Sequence, residues 1–148
     1  MEVTSLEQSK ALLESGLKRE SADLWWVQRY VAEWVGNDEE GKAFEHHVEP
    51  VTYLSFVNEG LHDTSNDKVV VTPAWSLGKL IDLVSKPNSE CECSRFILTK
   101  GAYDDDNVYS TELWSAHYEN QYWWSYGKSA IDALVDFVLK LVEKGIKI

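Results

Sequence analysis

The sequence predicts a mixed α+β fold in a single domain that spans residues 1–148. Between about residues 94 and 126, apolar and polar residues alternate with a period of two, which is typical of strands. Residues 130–144 instead repeat apolar side chains at intervals of three and four, which is typical of a helix with one buried face. A length of 148 residues suits one domain. We therefore expect a small sheet covered by a long C-terminal helix.

That C-terminal helix is the best specified element of the chain. Ser129 can accept a hydrogen bond from an amide of the first turn, and Asp132 lies near the positive end of the helix dipole. Lys140 and Lys144 lie near the negative end, and Gly145 is expected to end the helix in a left-handed conformation. At about 1.5 Å per residue the helix is about 22 Å long, which is enough to cover one face of a small sheet.

The region of period two is predicted to form a three-stranded antiparallel meander, packed by that helix. Its strands are expected at residues 95–99, 108–118 and 121–126. Because side chains alternate along a strand, Tyr122 and Trp124 should lie on one face of the last strand and Trp123 on the other. Which of these faces the helix leaves open is the question on which function depends.

Two helices are predicted at the N-terminus. The first begins at Thr4 or Ser5, each of which has a capping partner three residues on, and it ends at Gly16. The second covers residues 21–36, although its many aromatic and β-branched residues leave a strand open for part of it.

The middle of the chain is predicted to alternate polar loops with short elements. The expectations are loops at 37–49 and 58–68, strands at 51–57 and 69–72, and a short central helix at 76–84.

Composition narrows the classes of partner. The formal net charge is −11, so no basic surface is available for nucleic-acid phosphates. No secretory signal precedes the first helix and no apolar run of about 18 residues occurs, so no membrane span is predicted. Cys91 and Cys93 are too close in sequence for a mutual disulfide, which favours a reducing cytoplasmic setting.

Three segments carry a resemblance. They are residues 6–13 (LEQSKALL) with Gly16 and residues 21–23, the central run at 73–83 (PAWSLGKLIDL), and residues 130–135 (AIDALV) with Gly145. In this order they resemble a family of small uncharacterised proteins from phages and mobile elements of Bacteroides-type gut bacteria. The resemblance implies a phage-related origin and a cytoplasmic setting. The family has no assigned activity, so it implies no site residue.

His46, His47, His62 and Asp63 are the richest set of candidate metal ligands. Adjacent histidines point apart on regular backbone, and neither His-Glu-x-x-His nor His-x-His occurs. Solvated acidic loops therefore explain these residues better than a metal site, and no cofactor is predicted. A small hydrolase or metal-dependent enzyme that uses these loops remains the alternative function.

The seven tryptophans are the most informative feature for function. If the sheet face away from the C-terminal helix is open, Trp123 with Trp114 or Tyr109 would form a binding patch, and Trp25 and Trp26 are further candidates. The preferred hypothesis is a non-enzymatic interaction protein that binds an unknown partner protein through an acidic, aromatic surface. A partner with a basic surface would suit the charge, a homodimer is left open, and a sugar- or base-stacking module is the second alternative.

Overall fold

The computed structural model of the chain describes residues 2–30, 32–37, 43–47, 50–56, 68–85, 95–103, 106–146 and 148. In chain order the elements are α1 (Leu6–Ser15), a 3₁₀ turn (Arg19–Ser21), β1 (Leu24–Tyr30), β2 (Ala32–Asn37), β3 (Ala43–His47), β4 (Val51–Ser55), β5 (Lys68–Ala74), α2 (Leu77–Ser85), β6 (Phe96–Tyr103), β7 (Tyr109–Tyr118), β8 (Ser125–Gly127) and α3 (Ala130–Glu143). Over these ranges the α-helices number three, and the strands form two three-stranded antiparallel sheets and one two-stranded sheet. The architecture is therefore mixed α+β.

The first N-terminal helix follows the sequence prediction closely. The Ser5 hydroxyl accepts from the Gln8 amide at 3.1 Å, and the Ser5 amide donates to the Gln8 side chain at 2.9 Å, which completes a capping box. Gly16 ends the helix with a φ of 110°, a left-handed conformation that a side chain would strain.

The second predicted N-terminal helix is wrong, because this part of the chain forms β1 and β2. The apolar stripe through Leu24 and Val27 fits a helix, but the aromatic and β-branched composition favours strands. The tertiary context decides the matter, since β1 is the central strand of the order β4-β1-β5. The loop predicted at 37–49 is also wrong in part, because β3 occupies residues 43–47.

The strands β1 to β4 form two antiparallel pairs. The β1–β4 ladder runs from Trp25 opposite Ser55 to Arg29 opposite Val51. In the β2–β3 ladder, Ala32 lies opposite His47. Among the described strands, β5 pairs with β1. The strands β4, β1 and β5 therefore form one three-stranded sheet, and β2 and β3 form a separate two-stranded sheet.

The second sheet has the order β6-β7-β8. The last predicted strand is only partly confirmed, because β8 begins at Ser125 and the residues from Gln121 to Trp124 precede it. The register pairs Ala116 with both Leu98 and Ser125, and pairs Ser115 with both Thr99 and Tyr126. Alternate rows of side chains thus point to the two faces of this sheet.

The hydrophobic core includes one of those faces, which we call the inner face. Ala116 and Tyr118 on β7 pack there with buried residues of all three helices and with Trp75.

The sequence correctly places the start of α3, since the Ser129 hydroxyl accepts from the Asp132 amide at 3.1 Å. At the other end, Gly145 has the expected positive φ, of 75°. The predicted central helix is confirmed as α2.

Candidate functional site

Trp114 and Trp123, two of the predicted binding residues, contribute to the scaffold. Both are partly buried against the hydrophobic core. The Trp123 ring lies 5.3 Å from the ring of Phe137 on α3, and Lys144 Nζ lies 5.0 Å from the Trp123 ring centroid. Trp123 therefore faces the helix and not the opposite side of the sheet, and its predicted orientation is wrong.

The other predicted aromatic residues are distributed over the molecule. Trp25 and Trp26 are partly buried on β1, and the Trp26 indole donates to the Thr4 carbonyl at 2.8 Å. Tyr109 is 54% exposed and packs edge-on against Tyr103, with ring centroids 5.1 Å apart. The structure does not bring Tyr109 together with Trp114 and Trp123 into one patch.

A different set of side chains lies on the face of the β6-β7-β8 sheet opposite the hydrophobic core. Register places Thr99, Ser115 and Tyr126 in one row of this face, and places Ile97 opposite His117 in the next row. Trp124 precedes β8 by one residue and stacks on His117, with ring centroids 4.4 Å apart and an interplanar angle of 7°. We call these six residues the outer aromatic face: Ile97, Thr99, Ser115, His117, Trp124 and Tyr126.

The outer aromatic face is exposed at Thr99 and Trp124 and buried at Ser115. Trp124 is 42% exposed even though His117 covers one side of its ring, and Tyr122, two residues earlier, is fully exposed. None of the six residues is an acid or a lysine or arginine. Charged side chains border the face. Lys140 Nζ lies 3.0 Å from Asp136, 5.9 Å from the centroid of the Tyr126 ring and 3.3 Å from the Trp124 carbonyl oxygen, to which it donates. Arg95 lies 3.8 Å from Glu119. An exposed tryptophan is suited to contact another molecule by stacking.

The acidic surplus of the chain lies elsewhere. Residues 1–74 carry 14 acidic and 6 basic side chains, whereas residues 75–148 carry 11 and 8. The expectation that one surface is both acidic and aromatic therefore has little support at the outer aromatic face. Long-range attraction of a basic partner would act mainly on the N-terminal half of the chain.

His117 is the titratable group of this face whose environment is most altered. Burial lowers the pKa of His117 below its ordinary value of 6.5, and the neighbouring Glu119 carboxylate partly offsets that effect. The Nδ1 atom of His117 is buried and has no hydrogen-bond partner among the described residues. The neutral imidazole is thus the favoured form against Trp124 at neutral pH.

This lowered pKa predicts how stability depends on pH. The unfolded chain binds a proton to His117 more readily than the folded chain does, so protonation favours unfolding. The His117 contribution is therefore fully present above about pH 6.5 and is lost as the pH falls through the lower pKa of the folded state. Urea unfolding at several values between about pH 7.5 and about pH 5 should show a smaller loss of stability in His117→Gln than in the unchanged protein. Equal losses in both proteins would show that protonation of His117 does not cause this pH dependence.

The histidines of the alternative metal site are not brought together in the part of the chain that the structure describes. His46 and His47 lie on β3, with Glu33 and Ala32 as their Cα partners on β2, while His62 and Asp63 lie outside the described residues. Cys91 and Cys93 also lie outside them. The ranges that the structure describes contain no group of three or more His, Cys, Asp or Glu residues placed to hold a metal ion.

An apolar groove lies where the C-terminal ends of α1 and α3 meet. Its volume is about 590 Å³, and it is partly open to solvent. Leu17, Val142 and Ile146 supply apolar walls, and among the described residues that line the groove Lys18 has the one charged side chain. The groove offers shape and apolar surface but no cluster of polar groups that would select a ligand.

Comparison of the chain with family models, with curated proteins and with solved structures gave no match. Among the helices that the structure describes, none is long and apolar enough to cross a membrane. The residues that sequence reasoning missed are His117 and Trp124. The signal was present, because Trp124 was expected on the opposite side of the strand from Trp123, but only the structure shows which side α3 covers.

Proposed function

We propose that this chain is a non-enzymatic interaction protein, an accessory protein of a phage or mobile element, and that it binds a partner protein through the outer aromatic face. The observation that carries the proposal is the large exposed area of the Trp124 and Tyr122 side chains. Tryptophan and tyrosine dominate the binding energy of many protein interfaces, because they bury large areas with few rotatable bonds.

Binding through aromatic contacts is distinct from binding through the acidic surplus of the chain. Contacts made by aromatic rings gain from the removal of apolar surface from water and depend little on ionic strength. Binding of a basic partner through the acidic N-terminal half would instead weaken steeply with salt. The salt dependence of the affinity therefore identifies which part of the chain makes the contact.

The test uses affinity capture from the native host, followed by measurement of the purified pair. We expect Trp124→Ser to weaken binding of the captured partner at least about tenfold, since loss of a central tryptophan typically costs about 2 kcal/mol or more. The affinity of the unchanged protein should vary little between about 50 mM and about 500 mM NaCl. The matched control is Phe56→Ser, which removes a 69% exposed aromatic side chain at the end of β4, on the other sheet. Phe56→Ser should bind the captured partner with the same affinity as the unchanged protein.

Two results would count against the proposal, and a third would identify the partner. Equal affinities for Trp124→Ser and the unchanged protein would remove the outer aromatic face from the interface. A strong salt dependence would move the contact to the acidic half of the chain. Concentration-dependent dimerisation in analytical ultracentrifugation that Trp124→Ser abolishes would identify the partner as a second copy of the chain.

A second candidate is a module that stacks a sugar or a nucleic-acid base. The parallel stack of His117 and Trp124 favours it, since a planar ligand could extend the stack on the open side of the indole. Intrinsic fluorescence that does not respond to neutral oligosaccharides or to nucleosides would argue against this candidate. A hydrolase that uses His46, His47, His62 and Asp63 has no comparable support.

A further inference from the structure

We propose that residues 121–127, which we call the strap, open as a unit while the rest of the domain stays folded, and that this opening disassembles the outer aromatic face. The strap connects the turn after β7 to Ser129, the cap of α3. It supplies Trp124 and Tyr126 of the outer aromatic face, whereas the other four residues of that face lie on β6 and β7. The opening is a property of the chain alone, but its role in partner binding rests on the proposed function.

The strap pairs with the sheet over a short length. Strand β8 has three residues, and its ladder with β7 runs from Trp114 opposite Gly127 to Ala116 opposite Ser125. On its other side, β7 pairs with β6 from one end of β6 to the other. Loss of the β8 ladder therefore leaves the larger part of this sheet paired.

Closure of the strap buries polar atoms that gain no hydrogen bond. Among the described residues, the buried side-chain atoms without a partner are Gln121 Oε1, Ser125 Oγ and His117 Nδ1. Two of them belong to the strap, and the third belongs to the residue on which Trp124 stacks. A polar atom that is buried without a partner disfavours the state that buries it, because it has lost its hydrogen bonds to water. Opening returns the Gln121 and Ser125 side chains to water.

Other contacts hold the strap closed. The Trp123 ring packs against Phe137 of α3 at 5.3 Å, and Trp124 stacks on the imidazole beneath it at 4.4 Å. Lys140 Nζ donates to the Trp124 carbonyl at 3.3 Å, and Gly127 packs closely against the first turn of α3. These contacts make the closed state the major one. Because they all involve residues of one short segment, they are lost together, and the opening is cooperative.

The core on either side of the strap does not depend on it. Phe137 keeps its ring contacts with Phe96 and Tyr118, at 5.4 Å and 5.0 Å. The first turn of α3 keeps its capping hydrogen bond, and Gln8 of α1 still donates to the Asp132 carboxylate at 2.7 Å. Opening of the strap therefore requires less free energy than global unfolding, which must also break the β6–β7 ladder and the core between the helices.

The outer aromatic face exists in the closed state, since Trp124 lies on the strap while His117 lies on β7. A partner that binds this face binds the closed strap and not the open one. Such a partner suppresses opening in proportion to its concentration over its Kd. In turn, any change that favours opening lowers the apparent affinity for the partner.

Native-state hydrogen exchange of the full-length protein in low urea tests the opening. The amides that pair β8 with β7 should exchange at least about tenfold faster than those around Phe137, and with a weaker dependence on urea, because the strap exposes less surface than global unfolding. Ser125→Ala removes an unpartnered hydroxyl from the closed state, so it should slow the exchange of β8 at least about fivefold. The matched control is Ser115→Ala, at a serine that is also buried but whose hydroxyl lies 3.1 Å from that of Thr99. Ser115→Ala should not slow the exchange of β8.

Two results would overturn the inference. Equal rates and equal urea dependence for β8 and α3 would show that both exchange through global unfolding, and faster exchange in Ser125→Ala would show that this hydroxyl stabilises the closed strap. If β8 opens as described but a captured partner that depends on Trp124 does not slow its exchange, the role in partner binding fails while the proposed function stands. If no partner depends on Trp124, the proposed function and that role fail together, and the opening itself stands.

Discussion

Replacing Phe137 with alanine is expected to lower the free energy of unfolding by about 3–5 kcal/mol, which is among the largest losses that one substitution causes. The Phe137 side chain is completely buried in the middle of α3. Its ring centroid lies 5.4 Å from that of Phe96, 5.0 Å from that of Tyr118 and 5.3 Å from that of Trp123. Because these rings belong to β6, β7 and the segment before β8, they cannot all move inward to fill the cavity. Urea unfolding followed by circular dichroism measures the loss.

A second substitution at the same position separates the cavity from a loss of aromatic character. Phe137→Leu retains most of the apolar volume and should cost less than about 2 kcal/mol. Leu139→Ala, at a partly buried position two residues along the same helix, should likewise cost less than Phe137→Ala. A loss below about 1 kcal/mol for Phe137→Ala would mean that the three rings do not enclose this side chain as described.

The contrast between α3 and β1 shows how much of the fold was predictable. The helix α3 was predictable because every level of its sequence agrees: a capping serine, an apolar stripe, and a glycine after the last turn. In β1 and β2 the sequence signals disagree, since the spacing of the apolar residues Leu24 and Val27 fits a helix while the residue composition favours a strand. The state of β1 is decided by β4 and β5, which pair with it from elsewhere in the chain, and no local pattern contains that information.

The candidate site was predictable in kind but not in position. The excess of tryptophan indicated either an aromatic core or an aromatic recognition surface, and the alternation indicated that Trp123 and Trp124 would point to opposite sides. The choice between them depends on which side α3 packs against. The ring of Phe137 on α3 contacts Trp123, so Trp123 became part of the scaffold and Trp124 was left at the surface. A shift of one residue in the register of β8 would exchange the two roles.

The second large loss of stability is expected from substitution of Gly127, where β8 packs against the first turn of α3. A Cβ atom at this position would lie 2.5 Å from the backbone nitrogen of Ala133 and 2.6 Å from Cβ of Asp132. The first turn of α3 cannot easily retreat, because the Ala133 amide donates to the Ser129 carbonyl at 3.1 Å and Ala133 is completely buried. We therefore expect Gly127→Ala to lower the free energy of unfolding by about 2–3 kcal/mol through overpacking.

The same substitution should disturb the outer aromatic face, because β8 has only three residues and must move away from α3 as a unit. Tyr126 and Trp124 would move with it. In the fraction of Gly127→Ala that remains folded, the NMR signal of the Trp124 indole N–H should therefore shift relative to the unchanged protein. An unchanged signal together with full stability would show that the contact between β8 and α3 is looser than the distances indicate.

Gly78→Ala is the matched control, since it makes the same chemical change at a glycine of opposite character. Gly78 lies near the start of α2, is exposed, and has no atom within 4 Å of an added Cβ. Alanine is the better helix former and restricts the unfolded chain, so Gly78→Ala should raise the free energy of unfolding by about 0.5–1 kcal/mol. Opposite signs for these two substitutions would show that the packing of β8 against α3, and not the loss of a glycine as such, holds Trp124 in place. Losses of similar size at both positions would refute that account.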